Sequence, residues 1–393
     1  MSNLSALTKL ESPRGEDRRP APPAALREID INVTNFCNLE CIYCSYSSTP
    51  DRREPELGRA AALRLLDEEH AMGVEVIHFS GGEPVTRPYI DDLIARGAEL
   101  GFRMRMHSNG ALLKPERLKQ LWDAGLRRVL VSLDGPAEDH EHHRAKPGLY
   151  RKTMAGIENA AALGFNVRVN AVATSLNVDR IAGLIPMVCA LGAATFSVFY
   201  LIPVGRGRDV AGLMVPPQRW RRFLEEMRET ATRTDTGDTE ITAEKVFFWD
   251  DEPPPTDADE GGRGHGCLGF LKKCDYVNVL ADGRVYPCVC FVDVAPPLGN
   301  IRQRSLPDIL QDPRAWAFYQ ELQATETGCR FCEQFEHCGG GSKALSRTTT
   351  GDWFRLDPRC TGDPRAQRFY PLCFMLRENI ATGTRRGFAE HFA

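Results

Sequence analysis

The 393-residue sequence has few of the features that would place a protein in a membrane, in a secretory pathway or on nucleic acid. No apolar run approaches the length of a membrane span, and the N-terminus lacks the apolar core of a signal peptide. The formal net charge of −4 provides no broad basic field, so nucleic acid is not an expected partner. We therefore expect a cytoplasmic protein without a membrane partner.

Cysteine, in contrast, is abundant, with 13 residues along the chain. Cytosolic thiols are kept reduced, so clustered cysteines in such a protein indicate metal ligands rather than disulfides. A small secreted scaffold held by disulfides would be much shorter. The cysteine pattern therefore directs attention to metal chemistry.

The first half of the chain alternates short β-rich runs with helical stretches. Residues 1–26 are predicted to form a disordered leader. After it, strands are predicted at 29–33, 74–79, 103–107, 129–133, 167–172 and 195–201, with helices near 58–72, 88–100, 115–124, 150–163 and 177–191. This alternation predicts right-handed βαβ units and a parallel sheet. Six strands are too few for a closed eight-stranded barrel, so we predict an α/β fold with a partial, TIM-like (β/α)6 barrel at 27–205.

The pattern changes after residue 205. We predict a helical and loop linker at 206–265, with a helix at 217–232 and a Pro-, Gly- and acid-rich segment at 250–264. That segment is interpreted as a solvated connection, with a flexible cover over the active site as the alternative. A small cysteine-rich domain is predicted at 266–375 and a tail at 376–393.

Three cysteines lie together in the string CNLECIYC, at Cys37, Cys41 and Cys44. Three thiolates on one short loop can hold three irons of a four-iron cluster and leave the fourth iron open, whereas a structural zinc site needs four ligands. A zinc site and chance spacing remain as alternatives. The string resembles the CxxxCxxC signature of radical S-adenosylmethionine (SAM) enzymes, in which the amino and carboxylate groups of SAM occupy the open iron. The resemblance implies a 4Fe-4S cluster and SAM as cofactors.

The same resemblance implies that residues at successive strand ends bind SAM. In the family the GGE segment receives the methionine amino group, an arginine pairs with the SAM carboxylate, and other polar groups bind the ribose or methionine moiety. Residues 203–205 are expected to pack on adenine. The matching positions are Gly81, Gly82, Glu83, Ser108, Asn109, Ser132, Asp134, Arg144 and Asn170.

The C-terminal cysteines resemble the SPASM extension of radical SAM enzymes, which carries two auxiliary four-iron clusters. By position, Cys329, Cys332, Cys338 and Cys360 match the ligands of the distal cluster, and Cys267, Cys274 and Cys288 match three ligands of the proximal cluster. Many relatives supply one more cysteine where this chain has Ser342. Three possibilities remain for the fourth iron of the proximal cluster: it is open, it is ligated by Ser342 or Cys290, or the proximal cluster is absent. A zinc knuckle is the alternative to any auxiliary cluster.

The remaining cysteines and histidines carry weaker signals. Cys189 is predicted to be a small buried hydrophobe on a helix. The triplet His140, His142 and His143 is interpreted as part of a polar loop near Arg144, with metal binding as the minor alternative.

Together these patterns predict a radical SAM oxidoreductase, similar to peptide, quinone-cofactor and tetrapyrrole maturases, with a role in natural product biosynthesis. We expect it to cleave SAM to a 5′-deoxyadenosyl radical during oxidative maturation of a ribosomally made peptide. Dehydrogenation, epimerisation or decarboxylation of a sugar, tetrapyrrole or antibiotic intermediate is the alternative. A flavodoxin- or ferredoxin-type reductant is implied. With 36 residues before Cys37, a leader-peptide-binding protein is expected to be a separate partner.

Overall fold

Six parallel strands in chain order form the centre of the sheet in the computed structural model of this protein. The structure describes residues 26–51, 54–244, 246–248, 276–324, 341–355, 357–360, 369–371, 376–379 and 385–387. The predicted leader and the Pro-rich segment at 250–264 lie outside these ranges. Among the described residues, no helix is both long enough and apolar enough to cross a membrane.

The central strands agree with the predicted positions to within two residues at either end. They are β1 Glu28–Thr34, β2 Val76–Gly81, β3 Arg103–Ser108, β4 Arg128–Ser132, β5 Asn166–Ala173 and β6 Thr195–Tyr200. The prediction of an open α/β arrangement is confirmed, because the sheet has two edges and does not close on itself.

Strands from the second half of the chain extend this sheet at both edges. The strand β7 (Glu240–Glu244) pairs parallel to β6, while β9 (Tyr276–Val279) pairs parallel to β1. The other strands are β8 Val246–Phe248, β10 Arg284–Tyr286, β11 Gly299–Asn300, β12 Phe369–Pro371, β13 Leu376–Asn379 and β14 Arg385–Gly387. The predicted helical and loop linker thus contains strands that the sequence analysis did not include.

Helices follow the central strands along the chain. Those of the first part are α1 Arg59–Ala71, α2 Ile90–Glu99, α3 Pro115–Asp123, α4 Ala137–Arg144, α5 Leu149–Ala162, α6 Val178–Ile181, α7 Ile185–Ala190 and α8 Pro217–Arg233. Further along the chain lie Leu306–Gln311, Pro313–Ala324 and Lys343–Thr350. The continuous helix predicted at 177–191 is wrong in detail, since a 3-10 turn at Ala182–Leu184 separates α6 from α7. Pro186 lies in the first turn of α7, where its missing N–H costs no helical hydrogen bond.

The two faces of the central strands differ in polarity. In β1, Ile29 and Ile31 belong to the hydrophobic core, whereas Glu28, Asp30 and Asn32 are buried polar residues that alternate with them. Successive side chains of a strand point to opposite faces, so the apolar set packs against the helices and the polar set faces the interior of the partial barrel. The barrel interior is therefore a polar chamber, and the site described next opens into it.

Candidate active site

A cavity of about 330 Å³ lies at the C-terminal ends of the central strands. All three cysteines of the CNLECIYC loop line it. Of the residues predicted to bind SAM, seven also line it: Gly81, Gly82, Ser108, Asn109, Ser132, Arg144 and Asn170. The structure thus gathers side chains from five strand ends around one space, as the order of the motifs along the chain predicted.

The cysteine loop is held by hydrogen bonds to two other segments of the chain. The backbone N–H of Ile42 donates to the carbonyl oxygen of His143 at 2.9 Å. The guanidinium of Arg206 donates to the carbonyl oxygens of Cys41 and Ser48 at 2.8 and 2.9 Å. Nearby, a Cβ added to Gly205 would lie 2.3 Å from the carbonyl oxygen of Ser45, so only glycine allows this close approach. The segment expected to pack on adenine therefore also supports the loop.

An ion pair closes one side of the cavity. Arg144, at the end of α4, donates from Nε to Asp134 Oδ2 at 2.6 Å and from Nη2 to Oδ1 at 3.2 Å. The Tyr43 hydroxyl donates to the same carboxylate at 2.7 Å, and the backbone N–H of Val172 at 3.0 Å. Burial is the largest influence on the pKa of Asp134 and would raise it, but the charge of Arg144 and the hydrogen bonds from Arg144 and Tyr43 together hold that pKa at about 2. Asp134 is thus an ionised anchor that fixes Arg144, whose Nη1 lies 3.7 Å from Cys41 Sγ.

A second buried carboxyl supports the other side of the cavity. Glu83 accepts hydrogen bonds from the Ser108 hydroxyl at 2.9 Å and from the backbone N–H of Asn109 at 2.8 Å. Burial raises the pKa of Glu83 to about 7, although these hydrogen bonds oppose the shift. The Asn109 side chain in turn donates to Asn38 at 2.8 Å and lies 4.0 Å from Cys37 Sγ. Neither Glu83 nor Asp134 lines the cavity; each instead holds a neighbour that does.

The two glycines of SGGEP occupy positions that no side chain could share. Gly81 has a φ of +112°, and a Cβ there would lie 1.8 Å from Asn32 Oδ1. A Cβ on Gly82 would lie 1.9 Å from the carbonyl oxygen of Phe36. The glycines bring the end of β2 against the chain that leads into the cysteine loop, where Gly82 N donates to Thr34 O at 2.7 Å.

The cavity fits the cofactors that the sequence predicts. Among the described residues, no three His, Cys, Asp or Glu side chains are placed to hold a single metal ion. Three thiols that line one cavity suit a four-iron cluster, in which each thiolate binds a different iron. The buried Oδ1 of Asn170 has no hydrogen-bond partner among the described residues, and a ligand in the cavity would supply one.

The Cys37 thiol lies in a setting that disfavours its thiolate form. Burial, reinforced by Glu83 and the neighbouring cysteines, raises the pKa of the Cys37 thiol to about 12. Thiolates are the metal-binding form of cysteine, so iron has to supply the positive charge that stabilises them.

The C-terminal cysteines are only partly within the described residues. Cys267, Cys274, Cys329, Cys332 and Cys338 lie outside them. Cys288 and Cys290 are buried beside a 3-10 turn, where the backbone N–H of Cys290 lies 3.5 Å from Cys288 Sγ. Ser342 begins a helix, and its hydroxyl accepts from the N–H of Leu345 at 3.2 Å, which is the role of a helix cap. The ligand sets of the auxiliary clusters stay predictions.

The histidine triplet lies on a helix and not in a loop, which corrects the sequence analysis. His140 and His143 are fully buried on α4. The Nδ1 of His140 accepts from the backbone N–H of Asp134 at 3.2 Å, and His143 pairs with the Thr174 hydroxyl at 2.8 Å. Burial lowers the pKa of His140 to about 4, so it is neutral. These contacts make both residues core histidines that position α4. Cys189, predicted as a buried hydrophobe, is only partly buried on α7.

The sequence did not predict several residues of the site. The cavity lining also includes Asp30, Ser80 and His107, which come from β1, β2 and β3. The signal that could have identified them is the alternation of polar and apolar residues along strands whose two faces are both buried. Arg206 carried no such signal, because it lies in a 3-10 helix at Gly205–Leu213 and not on a strand.

Comparison with known proteins agrees with this geometry. A family model for the radical SAM superfamily matches residues 31–182, and a SPASM model, described as an iron-sulfur cluster-binding domain, matches residues 267–338. The chain is a radical SAM enzyme with a SPASM domain. Its cofactors are accordingly 4Fe-4S clusters and SAM.

Curated relatives of this radical SAM enzyme match along nearly their whole length. The chain is 29% identical to the AdoMet-dependent heme synthase of Methanosarcina barkeri, over 86% of this chain and 97% of that protein. It is also 29% identical to the PqqA peptide cyclase of Methylorubrum populi, over 92% of this chain and 90% of that protein. The fold is similar to that of Streptococcus suis SuiB bound to S-adenosylmethionine, with a TM-score of 0.71 and 18% identity over 86% of this chain and 78% of SuiB.

Proposed function

We propose that this enzyme cleaves SAM reductively and abstracts hydrogen from a ribosomally made peptide during oxidative maturation of that peptide. The observation that carries the SAM-cleaving part is the convergence of Cys37, Cys41 and Cys44 with Asn109 and Arg144 on one cavity. The similarity to PqqA peptide cyclase supports a peptide as the substrate.

The chain's own residues provide position and shielding for this chemistry. When bound, the four-iron cluster supplies the electron for reductive cleavage of SAM, which yields a 5′-deoxyadenosyl radical. Cys37, Cys41 and Cys44 would hold the cluster, while Gly81 and Gly82 let the backbone approach SAM closely. Arg144 would face the SAM carboxylate, with Asp134 holding the guanidinium in place.

The reaction class follows from the proposed electron flow. Net oxidation of the substrate requires an acceptor for a second electron, and the auxiliary clusters of the SPASM domain are suited to that role. The enzyme would then be an oxidoreductase of the cytoplasm, served by a flavodoxin- or ferredoxin-type reductant. A separate leader-peptide-binding protein would deliver the peptide.

A second candidate function is the modification of a small molecule such as a tetrapyrrole. The similarity to AdoMet-dependent heme synthase, which covers 97% of that relative, supports it. The two candidates share the SAM site and differ in the substrate alone.

SAM cleavage is tested with the anaerobically reconstituted protein and a strong reductant. We expect the parent to form 5′-deoxyadenosine and Cys41→Ala to form none above background, because one cluster ligand is lost. Cys189→Ala is the matched control, since Cys189 lies on α7 away from the cavity lining. Equal 5′-deoxyadenosine formation by Cys41→Ala and the parent would overturn the cluster assignment.

The substrate is identified by high-resolution mass spectrometry of cell extracts with and without the gene. A peptide that accumulates in the deletion strain, heavier than its mature form by two hydrogens or by a carboxyl group, would support peptide maturation. An accumulating tetrapyrrole or sugar would instead support the second candidate.

A further inference from the structure

The deeper part of the cavity contains a carboxyl group that the SAM site does not use. Asp30 lines the cavity from β1, four residues before that strand ends at Thr34. At about 3.3 Å per residue, this places it roughly 13 Å along the strand from its C-terminal end. Ser80 and His107, which also line the cavity, lie one residue before the ends of β2 and β3, and the Ser80 hydroxyl connects the Asp30 carboxyl to these strand ends.

The carboxyl of Asp30 has neutral partners. The Ser80 hydroxyl donates to Asp30 Oδ1, and the phenol of Tyr276 on β9 donates to the same carboxyl group. Within the described part of the chain, no lysine or arginine forms an ion pair with it. Burial raises the pKa of Asp30 to about 7, opposed by the two hydroxyl donors. A carboxylate has about four acceptor positions, so two donors leave capacity on a group that is 8% exposed and faces the cavity.

The other charges near the cavity do not compensate for Asp30. Of the described lining residues, Asp30 is the only carboxylic acid and Arg144 the only arginine or lysine. The Arg144 guanidinium is already paired with Asp134. Arg105 is buried in the barrel interior, but it lies 3.8 Å from Glu28 and does not line the cavity. The described lining thus offers Asp30 no arginine or lysine other than the paired Arg144, and its one histidine, His107, lies 3.5 Å from His78 through Nε2.

We propose that Asp30 forms a substrate subsite that binds an N–H donor, either an ammonium or an amide group, and discriminates against a carboxylate. Once Asp30 is ionised, a substrate carboxylate there would face a like charge without an arginine or lysine to offset it, which is costly in a buried site, whereas an ammonium group would favour the ionised form of Asp30. The subsite rests on the proposed function, in which this cavity holds the substrate beside SAM. It favours an amine- or amide-bearing substrate such as a peptide.

Binding is tested without turnover, so the result does not depend on SAM cleavage. The oxidised, SAM-loaded holoenzyme is mixed with n-butylamine or with butyrate, which match in chain length. Saturation-transfer NMR then reports which probe contacts the protein. We expect n-butylamine to bind and butyrate to bind at least about tenfold more weakly. Asp30→Asn should weaken n-butylamine binding about tenfold, while Asp30→Glu, which keeps the carboxylate, should retain most of it.

Glu28→Gln is the control for a general effect of changing β1. Glu28 is a buried acid on the same strand and does not line the cavity, so this variant should leave n-butylamine binding unchanged. Equal n-butylamine binding by Asp30→Asn and the parent overturns the subsite. The subsite is also overturned if butyrate binds as strongly as n-butylamine, or if neither probe binds detectably. Failure of 5′-deoxyadenosine formation would count against the proposed function and leave this binding result intact.

Discussion

Two fully buried carboxyl groups flank the cysteine loop, one beside a cation and the other among neutral hydrogen-bond donors. Asp134 is paired with Arg144, which holds its pKa at about 2, whereas burial without an ion pair raises the pKa of Glu83 to about 7. Both groups are 0% exposed. The difference therefore comes from the neighbouring cation and not from the degree of burial.

The two carboxyl groups stabilise different parts of the site. On the Asp134 side, a charge network fixes one arginine beside Cys41. On the Glu83 side, neutral hydrogen bonds fix the end of β3, including Asn109 beside Cys37. We expect the first side to respond strongly to the loss of one partner and the second to respond to pH.

The largest expected effect comes from breaking the ion pair. Asp134→Asn keeps the shape of the side chain but leaves the buried Arg144 without its counter-charge. We expect the free energy of unfolding to fall by about 3–5 kcal/mol, as measured by urea denaturation of the reconstituted protein. The double variant Asp134→Asn with Arg144→Gln should recover part of this loss, because no unpaired charge remains.

The control for that variant is an exposed ion pair of similar geometry. Arg59 Nε lies 2.6 Å from Asp92 Oδ2, with both side chains about half exposed. Asp92→Asn should cost less than about 1 kcal/mol. Equal costs for the buried and the exposed substitution would contradict the distinct role given to Asp134.

The next effect concerns the pH dependence produced by Glu83. Its pKa rises from 4.5 to about 7 on folding, so between these values the unfolded chain ionises at this position while the folded chain stays protonated. The folded state therefore loses stability as pH rises through this range, by about 3 kcal/mol at 1.36 kcal/mol per pKa unit. We expect Glu83→Gln to remove this component.

Urea denaturation of the parent and of Glu83→Gln at pH 5 and pH 7.5 gives the measurement. The difference between the two proteins cancels the titration of groups that they share, including Asp30. Parallel pH profiles for the parent and the variant would show that Glu83 does not titrate in this range.

A smaller effect is expected where the backbone of the Glu83 side makes its closest approach. Gly81→Ala would place a Cβ at a φ of +112° and 1.8 Å from Asn32 Oδ1. We expect a loss of about 2–3 kcal/mol in the free energy of unfolding, together with weaker SAM binding, because the end of β2 has to move. Gly101→Ala is the matched control, since Gly101 has a φ of +80° and no atom within 4 Å of an added Cβ. It should show the cost of backbone strain alone, about 1 kcal/mol.

Sequence spacing located the site well, because each signal was local. The three cysteines lie on one loop, and glycines or polar residues follow strands whose hydrophobic runs are evident. Parallel strands place these ends at one edge of the sheet, so their order along the chain was enough to bring them together.

The missed features depend on partners that are distant in the sequence. The helix α4, AEDHEHHR, lacks the apolar stripe that predicts a helix, because its buried residues are polar and have partners on other elements: Asp139, His140, His143 and Arg144. The strand β9 forms by pairing with β1, more than 240 residues earlier. Burial on both faces of the central strands likewise depends on tertiary contacts. The sequence alone therefore does not identify Asp30 as a site residue.

The smallest expected effect separates Ser108 from Ser132, two serines at the ends of adjacent strands β3 and β4. Both line the cavity, but Ser108 also donates to Glu83 at 2.9 Å and accepts from the N–H of Gly110 at 3.0 Å. Ser108→Ala should therefore lower the free energy of unfolding by about 1–2 kcal/mol, since a buried carboxyl loses a donor. The Ser132 hydroxyl forms no hydrogen bond to another described side chain or backbone group, so Ser132→Ala should change stability by less than about 0.5 kcal/mol. A larger loss in the free energy of unfolding for Ser132→Ala than for Ser108→Ala would contradict this prediction. It would show that the cavity is stabilised by β4 and not by the hydrogen bonds to Glu83. Urea denaturation of the two variants under the same conditions distinguishes these outcomes.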